Sequence, residues 1–437
     1  MDGALQPVIS FRFHSDLPRL IQMKRTLNRI AKAASIAVAF LALTGCLLFL
    51  EFFFGIAPLH NSSRQADLSL PELSGDYPVG RHFVDWVDLA RSDPFHPSSK
   101  RELVVSIWYP ASRSATNQTG TYLPGKRGLL TARFRSLMIR IRTQNLWSAL
   151  LRNPLPADLF TGIRTRAIDS AEISAEKQDF PVLIFSPGYG AAPDEYSALL
   201  EDIASHGYVI FAIYPTGFEP VTVFEDGRTI YASVLSTSLY NLEKAYSIWV
   251  QDIVFVLNEI SLQNSDPKSP WLGRLDLTKI GAFGHSFGGA AAAGACQFDS
   301  RIRAGLNLDG APQGARSTWN IDQPFMLVQS DGRPTKNSTW NDFYKGLTVG
   351  YRVVIKGSTH HAFTDETILP LPDNQRRKRL VGGVPGDRMV RLTSTLVAAF
   401  FDVHMQNKPA TLLQDISSQF AEITIETSGL NHNAIID

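Results

Sequence analysis

Residues 279–296 read KIGAFGHSFGGAAAAGAC and contain the motif G-x-S-x-G around Ser286. An apolar run precedes the motif and an Ala-rich run follows it, which predicts a sharp turn from a strand into a helix. Such a turn exposes a serine hydroxyl, and the N-terminus of the next helix favours the negative charge that develops when the serine attacks a carbonyl. The context therefore favours a nucleophilic role for Ser286 over an ordinary glycine-rich turn.

Residues further along the chain are candidates for the acid and the base that a nucleophilic serine requires. In this arrangement the order along the chain is serine, acid, histidine. Asp309 and Asp331 each end an apolar run after the motif, and both are candidates for the acid. His360 and His361 follow the last of these runs, and spacing leaves both open as the base.

Two backbone N–H groups are candidates for stabilising the oxyanion of an ester-cleavage intermediate. One belongs to Phe287, which directly follows the serine. The other is predicted in the loop Ser186-Pro187-Gly188-Tyr189-Gly190, after an earlier apolar run, and we assign it to Tyr189. An ordinary turn is the alternative for this loop.

After an early predicted strand at 102–109, short apolar runs alternate with helical patterns between residues 181 and 404. The predicted strands are 102–109, 181–186, 208–214, 279–285, 302–308, 324–329 and 351–356, and the predicted helices are 194–205, 239–262 and 387–404. Continuously apolar strands separated by helices are typical of a mostly parallel sheet that is covered by helices on both faces. The predicted fold class is therefore α/β.

The N-terminus divides into a basic region, 1–32, and an apolar run, 33–57, in which Glu51 is the only charged residue. The run has 25 residues, enough for a helix to cross the roughly 30 Å hydrocarbon core of a bilayer. The basic flank predicts a transmembrane anchor with the rest of the chain extracytoplasmic. A cleaved signal is the alternative, including a lipoprotein that starts at Met23 and is lipidated on Cys46; a buried helix is a third.

The rest of the chain is predicted to form a linker, 58–78, a hydrolase-like domain, 79–408, and a C-terminal tail, 409–437. Residues 126–166 form a basic insertion, with nine Lys or Arg against a single acidic residue. Within the insertion, residues 130–142 have an apolar stripe flanked by Arg133, Arg135, Arg140 and Arg142. This amphipathic helix is predicted to lie on an anionic membrane surface, or else to pack on the sheet as a lid.

Composition narrows the possible partners. Hydrophobic residues make up 44% of the chain, which is typical of a globular protein, and 42 Lys and Arg balance 41 Asp and Glu. Because there is no net basic field, and the basic run 376–379 resembles an ordinary solvated face, no nucleic-acid partner is predicted. The two cysteines do not form a disulfide framework.

Motifs for metals and nucleotides are absent from the sequence. It contains no HExxH or CxxC pattern. Residues 120–126 match GxxxxGK, but Arg127 stands where a P-loop needs Ser or Thr. We therefore predict neither a metal nor a cofactor.

Several stretches resemble one known family: PVLIFSPGYG (181–190), EYSALLEDIASHGYVI (195–210), IGAFGHSFGGA (280–290), RIRAGLNLDGAP (301–312) and IKGSTHHAFTDE (355–366). With SIWYPA (106–111), they are similar to the platelet-activating factor acetylhydrolases of the lipoprotein-associated phospholipase type, and more distantly to dienelactone-hydrolase-like bacterial esterases. The resemblance covers about residues 102 to 365.

This resemblance implies an α/β-hydrolase fold, no metal, and a triad of Ser286, Asp309 and His360. It also implies phospholipid substrates with short or oxidised sn-2 acyl chains. The chain departs from the family at Pro187, where the family usually has histidine, and at 214–216, where it often has His-Arg-Asp. The alternatives are a small-ester or polyester hydrolase and, in another class, a catalytically inactive binding module.

Overall fold

The structure is a computed structural model that describes residues 69–114, 119–124, 128, 130–132, 135, 160, 162–232, 242–314, 319–331, 338–369 and 374–428. The predicted N-terminal helix, 33–57, and most of the amphipathic helix, 130–142, lie outside this range. Within it, no helix is both long and apolar enough to cross a bilayer.

Ten strands of the described chain form one sheet in the order β12-β11-β10-β9-β8-β4-β5-β2-β1-β3. The strands of this sheet are β1 (Val79–Ser92), β2 (Lys100–Pro110), β3 (Ile168–Asp169), β4 (Phe180–Ser186), β5 (Val209–Tyr214), β8 (Leu275–His285), β9 (Ile302–Leu308), β10 (Phe325–Ser330), β11 (Gly350–Ile355) and β12 (Ile423–Ser428). A separate hairpin pairs β6 (Val221–Val223) with β7 (Thr229–Tyr231). From β11 through β5 the neighbouring strands are parallel, whereas β12 and β2 are antiparallel to their inner neighbours. The predicted mostly parallel sheet is confirmed.

Helices cover both faces of the sheet. They are α1 (Ser197–Ser205), α2 (Leu242–Gln263), α3 (Phe287–Phe298), α4 (Ser338–Lys345), α5 (Asn374–Val381), α6 (Gly386–Met405) and α7 (Thr411–Gln419). Buried side chains of α1, α6 and α7 pack in one apolar cluster, and those of α2, α3 and α4 pack in another. Strand β4 contributes to both, because Leu183 and Phe185 join the first while Val182 and Ile184 join the second. Burial on both faces explains why the strand sequences are continuously apolar.

The domain extends beyond both predicted boundaries. Within the predicted linker, Leu70 is buried, and the Ser74 N–H donates to Asp202 Oδ1 at 2.6 Å, so the described end of that segment packs on the domain. At the other end, β12 pairs along the whole length of β11, which adds residues of the predicted tail to the sheet. The C-terminal segment has a short helical pattern that the prediction missed, since Leu413, Ile416 and Phe420 are spaced to lie on one helix face.

The candidate site residues lie together at the carboxyl ends of the parallel strands, because these ends are all on the same side of the sheet. Ser286 follows β8, Asp309 follows β9, and Asp331 follows β10. We call residues 187–190, after β4, the oxyanion loop, and residues 357–363, after β11, the base loop.

Candidate active site

Ser286 occupies a strained turn between β8 and α3. Its φ is 54° and its ψ is −123°, a conformation that side-chain-bearing residues rarely adopt. The turn also needs a small residue at position 288, because a Cβ there would lie 2.1 Å from the backbone oxygens of Ser186 and Pro187. The two conditions together are the geometry of a nucleophile elbow.

His360 links Ser286 to Asp309. Nε2 of His360 lies 3.0 Å from Ser286 Oγ, and Nδ1 lies 2.7 Å from Asp309 Oδ2. Asp309 is fully buried, and its carboxylate also accepts hydrogen bonds of 3.0 Å from the N–H and from the hydroxyl of Ser330. A fixed carboxylate that accepts the Nδ1 hydrogen leaves Nε2 able to accept the serine proton.

The other acid and base candidates have different partners. Asp331 is exposed, and its Oδ2 accepts the Gly357 N–H at 2.8 Å. Nδ1 of His361 faces Glu366 Oε2 at 3.7 Å. Of the pairs that spacing left open, Asp309 and His360 are therefore the ones that the structure joins to Ser286.

The backbone around the predicted oxyanion donors lies beside Ser286. Phe287 begins α3, and N–H groups in the first turn of a helix have no acceptor within the helix. The oxyanion loop passes close by, since a Cβ on Gly188 would lie 3.4 Å from Ser286 Cβ. The rings of Tyr189 and Phe287 pack edge to face at 5.6 Å, and both contact Trp249, at 6.2 and 5.0 Å between centroids. These ring contacts fix the two backbone segments relative to each other.

Sequence reasoning missed two buried residues of this site. His285 Nδ1 lies 2.8 Å from the Tyr196 hydroxyl, and His285 Nε2 lies 2.9 Å from the His360 backbone oxygen. Burial holds the pKa of His285 well below its usual value. A histidine inside the motif was a visible signal, whereas nothing local in the sequence distinguished Tyr196.

A buried polar cluster lies directly after the base loop. The carboxyl of Asp365 accepts the Tyr122 hydroxyl at 2.7 Å and the Ala198 N–H at 3.3 Å, and burial raises the pKa of Asp365 to about 6. Tyr122 in turn accepts a hydrogen bond from Arg135 Nη1 at 2.8 Å.

The position of Arg135 corrects one prediction. Its side chain is 4% exposed, so Arg135 does not lie on the polar, membrane-facing side assigned to the amphipathic helix. The guanidinium instead stacks over the rings of Tyr122 and Phe160, which offsets part of the cost of its burial. The other three arginines of that helix lie outside the described residues.

Among the residues that the structure describes, no cluster of three or more His, Cys, Asp or Glu side chains could hold a metal ion.

Known proteins match most of the chain. The family model of platelet-activating factor acetylhydrolase, isoform II, matches residues 62–214 and 266–403. A probable 1-alkyl-2-acetylglycerophosphocholine esterase of Arthroderma benhamiae is 25% identical, over 83% of this chain and 95% of that protein. The platelet-activating factor acetylhydrolase of Cavia porcellus is 28% identical, over 44% of this chain and 49% of that protein.

A solved structure shows the same fold. The ferulic acid esterase from Streptomyces cinnamoneus is 29% identical and superposes with a TM-score of 0.67, covering 82% of this chain and 99% of that one. The architecture is thus that of an α/β-hydrolase, with a mostly parallel sheet and a serine elbow after a central strand. Because the family model matches more than half of the chain, this ester-hydrolysing enzyme belongs to the platelet-activating factor acetylhydrolase, isoform II, family.

Proposed function

We propose that the protein is a serine esterase that cleaves the sn-2 ester of phospholipids resembling platelet-activating factor, with short or oxidised acyl chains. One observation carries the proposal: a hydrogen-bonded chain runs from Ser286 through His360 to the buried Asp309 in a member of this family. These three side chains supply the nucleophile, the base and the acid that ester hydrolysis by a serine requires.

In the proposed mechanism, Ser286 Oγ attacks the ester carbonyl while His360 Nε2 takes its proton. Asp309 holds the imidazole and stabilises the imidazolium. The N–H groups of Phe287 and Tyr189 stabilise the oxyanion of the tetrahedral intermediate. His360 returns the proton to the departing lysolipid oxygen, which leaves an acyl-serine. Water, deprotonated by His360, then attacks the acyl-serine; the ester bond breaks, His360 returns the proton to Ser286 Oγ, and the acid is released.

The names of the relatives support two substrate classes. The Arthroderma benhamiae and Cavia porcellus proteins are named for acetylated ether phospholipids, which supports the phospholipid. The solved ferulic acid esterase supports the second candidate, a small ester without a phospholipid headgroup, since it matches at 29% identity over nearly its whole length. Pro187 also favours the second candidate, because the family usually has histidine at this position and a change in the oxyanion loop is consistent with a different substrate.

A comparison of the Ser286→Ala variant with the wild type tests the proposal. Loss of one triad member nearly removes the effect of the whole unit, so kcat is expected to fall by roughly 10⁴- to 10⁶-fold while the melting temperature changes little. The assay measures release of acetate from an sn-2-acetyl phospholipid, with a long-chain phospholipid, p-nitrophenyl acetate and a feruloyl ester in parallel.

The phospholipid proposal predicts the highest kcat/KM on the sn-2-acetyl lipid. A preference for the feruloyl ester selects the second candidate. Residual activity of Ser286→Ala above about a tenth of wild type contradicts a role for Ser286 as nucleophile.

We further propose that residues 33–57 attach the enzyme to a membrane, with its domain on the extracytoplasmic side. The support is the long apolar run after a basic region. The full-length chain is expected to sediment with membranes and to resist carbonate extraction. The double variant Leu41→Arg with Leu43→Arg is expected to release it, because each charge at the bilayer centre raises the free energy of insertion by about 3 kcal/mol. Release by Cys46→Ala instead selects the lipoprotein alternative, and full-length protein in the supernatant contradicts attachment.

A further inference from the structure

A chain of hydrogen bonds next to Ser286 joins the oxyanion loop to the base loop. The Tyr196 hydroxyl accepts the Gly188 N–H at 3.0 Å and lies 2.8 Å from His285 Nδ1. His285 Nε2 lies 2.9 Å from the His360 backbone oxygen. Two buried side chains, Tyr196 and His285, therefore connect the two loops.

The proton positions in this chain follow from its partners. A backbone oxygen can only accept, so His285 Nε2 carries the ring hydrogen and donates it to the His360 oxygen. In a neutral imidazole the other nitrogen is then an acceptor, and it accepts from the Tyr196 hydroxyl. The hydroxyl oxygen accepts from the Gly188 N–H. Each donor of the chain meets an acceptor, and the lowered pKa of His285 keeps the imidazole in the neutral form that this requires.

We propose that Tyr196 and His285 are positioning residues that hold the base loop and the oxyanion loop in the geometry that catalysis needs. The proposal rests on the roles proposed above for Ser286, His360 and the Tyr189 N–H. We call the pair of side chains the Tyr196–His285 relay.

The topology of the sheet explains why such a relay is needed. Strands β10, β9 and β8 lie between β11 and β4. At about 4.8 Å per strand, the two loops start from points roughly 19 Å apart, so ladder pairing does not couple them directly. The two loops converge beside Ser286, and the relay joins them there through the residue that immediately precedes it.

The relay acts on the distance between base and nucleophile. His285 Nε2 donates to the backbone oxygen of His360. The imidazole of His360 in turn lies 3.0 Å from Ser286 Oγ. Displacements of about 1 Å in a catalytic geometry cost up to roughly 10²-fold in rate. Losing the relay is therefore expected to lower kcat without removing any group that contacts the substrate.

The test measures kcat per active site, with sites counted by labelling of Ser286 with a fluorophosphonate probe, so that misfolded protein does not contribute. Tyr196→Phe and His285→Phe each keep an aromatic ring and remove the hydrogen bonds. Each is expected to lower kcat roughly 10- to 100-fold, with KM changed less than threefold. His285→Gln can donate to the His360 oxygen and accept from Tyr196, and it is expected to retain kcat within about fivefold of wild type.

A double-mutant cycle and a matched control complete the design. Because the two residues act as one unit, Tyr196→Phe with His285→Phe is expected to be no slower than the slower single variant. Tyr351→Phe is the control, since the Tyr351 hydroxyl makes a comparable 3.0 Å hydrogen bond to His404, at the opposite end of β11 from the base loop. It is expected to change stability but not kcat.

Three outcomes would overturn the relay. Single variants with kcat per site within twofold of wild type, like the control, would show a purely structural role. Losses that multiply in the double variant would show two independent effects. A His285→Gln variant as slow as His285→Phe would show that the hydrogen bonds are not what matters. A wild-type protein that the probe does not label at Ser286 contradicts the proposed function itself, and the relay with it.

Discussion

At the scale of single residues, the site depends on which of two similar acids holds the base. Asp309 is fully buried, has a left-handed φ of 54°, and faces His360 Nδ1 at 2.7 Å. Asp331 lies after the next strand but is exposed and holds only the start of the base loop, through the Gly357 N–H. Spacing along the chain cannot distinguish the two aspartates, because each directly follows a strand and directly precedes a glycine.

These environments lead to opposite expectations for Asp309→Asn and Asp331→Asn. An amide at 309 donates to His360 Nδ1, which moves the ring hydrogen to Nε2 and prevents that nitrogen from accepting the serine proton; kcat is expected to fall roughly 10²- to 10⁴-fold. Asp331→Asn retains an oxygen for the Gly357 N–H, and kcat is expected to stay within about threefold of wild type. Steady-state kinetics on p-nitrophenyl acetate measures both, and the reverse order contradicts the assignment of Asp309.

The parts of the site that sequence predicts are those with a local signal. Ser286 was identified by its motif, and Asp309 and His360 were narrowed to two candidates each by their order along the chain. The contacts of Tyr196 with His285 were not predictable, because they join residues 89 positions apart through tertiary packing. Arg135 was misplaced for a related reason: periodicity gives a helix its faces but does not tell which face meets the protein.

At the scale of elements, the cluster of Tyr122, Arg135 and Asp365 joins the start of the basic insertion to helix α1 and to the segment after the base loop. Asp365 accepts hydrogen bonds from Tyr122 and from the Ala198 N–H of α1. A buried carboxyl with few compensating charges is costly to ionise, which is why its pKa rises to about 6. The attachment between these elements is therefore expected to depend on pH.

The sign of this dependence follows from proton binding. In the folded protein Asp365 keeps its proton up to about pH 6, whereas an unfolded carboxyl loses it near 3.8. Between these values the folded state binds more protons, so the contribution of Asp365 to stability falls as pH rises from about 4 to 6 and is constant above. The free energy of unfolding of wild type minus that of Asp365→Asn is thus expected to fall across this window, by on the order of 3 kcal/mol at most.

Urea unfolding between pH 4 and pH 7 measures the effect. Asp226→Asn is a suitable control, because the hydrogen bonds from Arg228 lower the pKa of the exposed Asp226 and so keep its titration below this window. Parallel curves for wild type and Asp365→Asn would contradict the assignment of the pH dependence to Asp365.

At the scale of the whole molecule, the sheet is finished by the C-terminal segment. Four apolar side chains of this segment are buried: Leu413, Ile416, Phe420 and Ile423. Strand β12 covers the edge of β11, which otherwise presents unpaired backbone groups next to the base loop. The predicted boundary at residue 408 therefore divides a single folded unit.

Truncation after residue 408 is expected to prevent stable folding. Each buried apolar side chain contributes roughly 1.5–3 kcal/mol, so four of them approach the 5–15 kcal/mol stability of a typical domain. The truncated chain is expected to aggregate through the exposed edge of β11, whereas truncation after residue 428 retains β12 and is expected to fold. Yield of folded protein and melting temperature measure the difference, and a wild-type melting temperature for the shorter chain contradicts it.

The strand order also sets the time at which the enzyme becomes active during its own synthesis. Strands β8, β9, β10, β11 and β12 add to one edge of the sheet in the order in which the ribosome releases them. The histidine of the site follows β11, and the strand that protects β11 is made after it. A nascent chain thus carries Ser286 before it carries His360 and β12, so the proposed site is expected to assemble only after residues 423–428 have been synthesised.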